Sequence, residues 1–141
     1  MSGPRISFEP FADAAVKEFI VNGVDFHNIA ATGHSAYYPV QFFLRGDRDE
    51  VLGGLLGQIW GQWLFVSYLW VAEPVRGAGN ARHLMRAAED YAIERRCVGA
   101  YLSTYSFQAP GFYQKLGYQV FGTLEGFPRG HAHHHLFKML P

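Results

Sequence analysis

The sequence has one cysteine, Cys97, so no disulfide can form within the chain. That excludes a small disulfide-stapled scaffold and makes a reducing, cytoplasmic setting the expectation. Net charge is missing too, with 12 Lys and Arg against 12 Asp and Glu. A dedicated nucleic-acid binder carries a basic excess or stripe, so no nucleic-acid partner is expected. Long apolar runs are absent. The greasiest stretch, WLFVSYLWVA from Trp63 to Ala72, is too short to cross a bilayer and contains a serine. It reads as a buried strand, and no membrane partner is expected. The opening MSGPRISFEPF lacks the apolar run of a secretory signal. No internal repeat or low-complexity linker interrupts the chain.

What is present is apolar and aromatic. Of 141 residues, 49% are hydrophobic and 16% aromatic, enough for one domain with one sizeable core. RISFEP, Arg5 to Pro10, alternates enough for a first strand. A helix follows to about Val21, broken at Asn22-Gly23, with a second helix from Val24 to Thr32 stopped by Gly33. Three strands come next, Ala36–Gly46, Val51–Gly61 and Trp63–Val71, joined by turns at Gly46–Glu50 and Gly61-Gln62. They predict an antiparallel meander. The glycines inside the second strand point to bulges or close backbone packing.

Ala81, Leu84, Met85, Ala88, Tyr91 and Ala92 then keep a helical rhythm from about Gly79 to Arg96. Arg82, Arg86, Glu89 and Asp90 fall mostly on the opposite face. Gly99–Thr104 is a strand, and SFQAPGFYQKLGY is a short helix capped by Ser106 and stopped by Gly117. Two strands close the chain, YQVFGTL and HAHHHLFKML, separated by the loop EGFPRG. The order β-α-α-β-β-β-α-β-α-β-β predicts a mixed α/β fold with one right-handed parallel crossover around residues 63–104.

The stretch PVRGAGNARHLMRAAEDY, Pro74 to Tyr91, places two glycines and an arginine where a helix begins. Free N–H groups and the helix dipole at such a start suit a phosphate or diphosphate. A Walker A loop fails here, because Ala81-Arg82 stand where Lys-Ser/Thr is needed. A dinucleotide fingerprint beginning at Gly77 meets Arg82 in place of its third glycine. The residues alone leave anion binding and a plain structural turn both open.

Arg76-Gly77-Ala78-Gly79-Asn80-Ala81 resembles the R/Q-x-x-G-x-G/A signature of the GNAT superfamily of N-acetyltransferases. FYQKLGY, Phe112 to Tyr118, is similar to that superfamily's Tyr-x-x-x-Gly-Phe/Tyr segment, and it follows after one strand, as in the family. The resemblance implies a GNAT-like fold with a splayed central sheet and acetyl-CoA as cosubstrate. It implies that the amides of Arg76, Gly77, Ala78, Gly79, Asn80 and Ala81 hold the diphosphate. Leu69, Trp70 and Val71 would pair their backbone with the pantetheine arm. Tyr113 would protonate the departing thiolate, which a phenol can do because it keeps its proton at neutral pH. Many relatives carry an asparagine where Ser106 stands here, so Ser106 or nearby Gln108 could bond the cofactor.

Acetyl transfer also needs a neutral amine, hence a base. Glu73 is the carboxylate nearest the strand end. His131, His133 and His135 share one face of the last strand, and His133 matches a base histidine in glyphosate-acetyltransferase-like members. No metal is expected, since neither Cys nor nearby Asp completes a site. The reading is direct N-acetyl transfer to a primary amine of a small-molecule acceptor, with a homodimer possible. The alternatives are a non-catalytic acyl-CoA-binding module and a metal-binding protein built on HAHHH.

Overall fold

The computed structural model describes residues 3–34 and 37–141, and these divide into two compact units, 1–36 and 37–141. The first unit carries one helix, α1 (Ala14–Thr32), ended by Gly33 at φ 75°, whose N–H bonds Ile29 O at 2.8 Å. The expected break at Asn22-Gly23 is absent. An interior glycine costs a helix about 1 kcal/mol relative to alanine, which a helix of this length absorbs. Arg5–Pro10 is not a strand, because no partner edge exists within this unit.

The second unit is a six-stranded mixed sheet in the order β1-β2-β3-β4-β6-β5. Its strands are β1 (Tyr38–Arg45), β2 (Val51–Trp60), β3 (Trp63–Val71), β4 (Gly99–Tyr105), β5 (Gln119–Glu125) and β6 (Ala132–Met139). The expected first strand of the meander began at Ala36, which lies outside the described residues. The meander β1-β2-β3 is antiparallel, and Gly61-Gln62 turn at φ 58° and 67°, the paired positive values of a tight hairpin. Close backbone packing accounts for the β2 glycines. A Cβ on Gly57 would sit 2.4 Å from the Phe65 carbonyl oxygen, and one on Gly53 2.7 Å from that of Trp70.

Helix α2 (Asn80–Glu94) crosses from β3 to the parallel β4 and packs over β1, β2 and β3. Leu84, Met85, Ala88 and Ala92 bury its inner stripe against Val40, Leu55, Leu64, Val66 and Leu102. Glu89, expected on the solvent face, is buried. Its carboxylate accepts bonds from the Tyr118 hydroxyl and the Lys138 ammonium, both at 2.8 Å. Helix α3 (Pro110–Lys115) follows β4 and leads back into β5.

Candidate active site

Strands β3 and β4 pair over only four positions, Trp63↔Gly99 to Val66↔Leu102. The cause lies in β3. Its register against β2 slips beside Ser67, with Gly57 opposite Val66 and Leu56 opposite Tyr68. This is a bulge: Ser67 and Tyr68 are both exposed, whereas Leu64, Val66 and Val71 point into the core. Beyond it the two strands part.

The opening is a cavity of about 270 Å³ lined by Val66, Ser67, Leu69, Leu102, Ser103, Thr104, Gln108 and Tyr113, among others. Leu102 and Thr104, which face the core, line it together with Ser103 between them, whose side chain alternates to the other face. Ala72 N–H bonds Leu52 O, so strand alternation also turns Trp70 and Tyr68 toward β2. The N–H groups of Leu69 and Val71 face the opening. Trp70, expected among the cofactor contacts, has its main chain committed to β2, and its side chain lines neither this cavity nor the next.

The second cavity, about 430 Å³, continues along the end of β3. Val71, Val75, Arg76, Gly77, Gly79, Asn80, Ala81 and Arg82 line one side, and Phe112, Lys115 and Leu116 of the α3 segment line the other. Gly77 and Gly79 stand at φ 81° and 83°, a conformation that disfavours side-chain-bearing residues. No side chain caps α2. Among the described residues, no backbone N–H from Gly77 to Arg82 donates to a protein group. Arg76 differs: its own N–H closes a single 3-10 turn onto Glu73 O, and its Nε holds Val71 O at 2.7 Å. Asn80 Nδ2 holds Val75 O at 3.0 Å and fixes the loop. Ala78 belongs to the loop without lining the cavity.

These orphan N–H groups, the helix dipole and the cations of Arg82 and Lys115 suit a diphosphate. Arg82, Lys115, Phe112 and Leu116 were missed by sequence reasoning. Phe112, Lys115 and Leu116 lie inside the FYQKLGY segment and so carried a signal, whereas Arg82 did not.

Tyr113 is half-buried at the edge of the opening, and its hydroxyl has no protein partner among the described residues. Burial pushes its phenol above the ordinary value of 10. Gln108 lines the same cavity and uses its side-chain oxygen on Thr104 and on the Tyr105 N–H. Ser106 neither caps α3 nor lines a cavity. Its hydroxyl accepts the Ala132 N–H at 2.9 Å and pins the start of β6, while Ala109 occupies the cap position. Glu73 is exposed in the 3-10 turn and lines neither cavity.

The histidines sit across from β4. In register, His135 is opposite Ser103 and His133 opposite Tyr105, on one face. The two imidazoles meet edge to face at 4.8 Å, and His133 stacks on Tyr105 at 4.2 Å. His133 Nδ1 is buried with no bonding partner among the described residues. Burial, with repulsion from protonated His135 and His134, holds its pKa below the usual 6.5. His134, on the other face, bonds Thr123. Among the described residues, no three His, Cys, Asp or Glu side chains are placed to share a metal ion.

A parallel strand pair opened by a bulge, leading to an uncapped helix start, defines the class: a coenzyme-A-using acyltransferase fold. The chain belongs to the acetyltransferase (GNAT) family, whose model matches residues 8–118, and it is an N-acetyltransferase. It is 44% identical over 96 residues to the blasticidin-S acetyltransferase of Streptomyces morookaense, covering 67% of this chain and 71% of that one. It is 35% identical over 113 residues to an acetyltransferase of Agrobacterium fabrum, covering 80% and 82%. A crystal structure of an acetyltransferase from Bacillus cereus superposes with a TM-score of 0.85 at 30% identity, covering 95% of this chain and 98% of that one. GNAT acetyltransferases use acetyl-CoA as acetyl donor.

Proposed function

We propose that this protein moves the acetyl group of acetyl-CoA directly to a primary amine of a small-molecule acceptor. The observation that carries the reading is that two cavities follow one another along β3, the first lined by Leu69 and Tyr113, the second by Val71 and Phe112. The second offers unpaired amides at the start of α2, and the first opens between β3 and β4 beside Tyr113. The amides of Gly77 to Arg82 hold the diphosphate, and the edge of β3 at Leu69 and Val71 bonds the pantetheine amides. The thioester then lies in the opening, where the N–H of Leu69, which lines it, polarises the carbonyl oxygen.

The acceptor nitrogen attacks the carbonyl carbon from the Ser103 face. A C–N bond forms and the C–S bond breaks. The proton of the attacking nitrogen passes to the His133–His135 pair, of which His135 stands opposite Ser103 and His133 is kept neutral. Tyr113 gives its proton to the departing thiolate and recovers one from solvent. No covalent enzyme intermediate is needed. Cys97 is buried with its thiol pKa pushed up, chiefly by burial, which removes it as a nucleophile.

Kinship with the blasticidin-S enzyme makes blasticidin S the first acceptor to try. The test is a panel of amines, blasticidin S included, with acetyl-CoA and a free-thiol readout. Amine-dependent thiol release with N-acetylated product supports the reading. Tight acetyl-CoA binding without release on any amine would make the chain a non-catalytic acyl-CoA-binding module.

A further inference from the structure

We infer that the acceptor carries a flat conjugated ring beside its amine, and that this ring stacks on an aromatic shelf built by Tyr105, Phe107, Phe127 and His133. The inference rests on the acetyl-transfer reading above and assigns the acceptor class for that site.

The shelf is one connected set of rings. Phe107 stacks on Tyr105 at 5.1 Å, and His133 stacks on Tyr105 at 4.2 Å. Phe127 tilts against both, at 5.4 Å from Tyr105 and 4.9 Å from His133. Core packing does not explain it, since Phe107 is 55% exposed and Phe127 42%. Two loops of no regular structure hold these phenylalanines, yet their rings meet the same tyrosine. A chain that only needed polar loops there would not place large apolar rings on them.

Position ties the shelf to the chemistry. Tyr105 lies two residues beyond Ser103 on β4 and points to the same face. Ser103 lines the opening between β3 and β4. Across the strand pair, His135 stands opposite Ser103 and His133 opposite Tyr105. An acceptor lying on the shelf therefore has its amine about one to two strand positions, roughly 3–7 Å, from the opening and its imidazoles. The four shelf side chains bear no formal charge while His133 stays neutral, and stacked rings present electron-rich faces. They favour flat, electron-poor neutral rings such as pyrimidines and pyridines.

The test pairs acceptors that differ only in a ring: a short alkyl primary amine against the same amine bearing a pyridine or pyrimidine. Both are run on the wild type, on Phe107→Ala and on Phe127→Ala. The expected result is a kcat/KM about ten-fold or more higher for the ring-bearing amine, as stacking on one aromatic ring commonly gives. Each variant should raise KM for that amine by a similar factor. Kinetics with the ringless amine and affinity for acetyl-CoA should stay unchanged. Equal kcat/KM for both amines, or variants that slow both alike, would overturn the shelf while leaving acetyl transfer standing. Absence of thiol release with every amine overturns the acetyl-transfer reading and the shelf with it. Loss of a dimer in Phe107→Ala, with ring preference intact, would make the shelf an interface between copies and end the proposal.

Discussion

At the scale of single residues, the proposed acid and base are shifted in opposite directions by their surroundings. Tyr113 keeps its proton because burial penalises the phenolate. Tyr113→Phe should lower kcat by about 10²- to 10⁴-fold, the usual worth of a positioned acid, with acetyl-CoA affinity unchanged. Stopped-flow thiol release beside equilibrium titration measures both. His133 is shifted the other way, toward the neutral form. As pH falls, the unfolded chain therefore takes up this proton first, near 6.5, and the native state is destabilised below that point. Chemical denaturation at several pH values should show stability falling as pH drops below about 6.5, and His133→Gln should remove part of that fall. The pH–rate profile should turn down below 6.5 rather than above it. Cys97 should react with a thiol reagent only on unfolding, so native protein adds no background to a coenzyme A readout.

The place of Tyr113 at the edge of the opening was legible because its spacing to Gly117-Tyr118 is a local pattern. Glu89 was not. Helical periodicity put it beside Asp90 on the wet face, and its partner Lys138 lies 49 residues away on another strand. Glu73 and Ser106 line neither cavity. Proximity along the chain brought them near the site, while a turn and a strand start claimed them.

At the scale of elements, two local devices make the site, and they differ in how visible they were. The glycine loop before α2 was visible, since Gly77 and Gly79 are spaced as their positive φ values require. Gly79→Val forces a branched side chain into a left-handed conformation at a cost of about 1–2 kcal/mol. Calorimetry should show weakened acetyl-CoA binding, and thermal melting a lowered Tm. The β3 bulge was not visible. Nothing in WLFVSYLWV marks Ser67 as the point of slippage until β2 is laid beside it with Gly57 opposite Val66. The first strand failed similarly: an alternating segment predicts an extended shape, but a strand also needs an edge to pair with. The helix through Asn22-Gly23 shows the reverse, tertiary-scale length outweighing one residue's reluctance.

At the scale of the whole sheet, β1-β2-β3 and β4-β6-β5 are two three-stranded halves. Laterally they share only the four-position seam from Trp63↔Gly99 to Val66↔Leu102. The Glu89 cluster reinforces the β4-β6-β5 half by clamping α2 to Tyr118 and Lys138. Removing its centre with Glu89→Ala strands a half-buried ammonium and should cost about 3 kcal/mol, read as a drop in denaturant midpoint. A ligand at 100 times its Kd should add about 2.7 kcal/mol, and the thermal shift should rise with the logarithm of acetyl-CoA concentration.

The short seam makes the enzyme an arch without its keystone. Deuterium uptake at the amides of Leu69 and Val71, which face the opening, should be fast in the empty protein and slow once the donor is loaded. Turnover would then tighten and loosen the joint between the halves once per cycle, and the enzyme should resist heat and proteases best when it is poised to react.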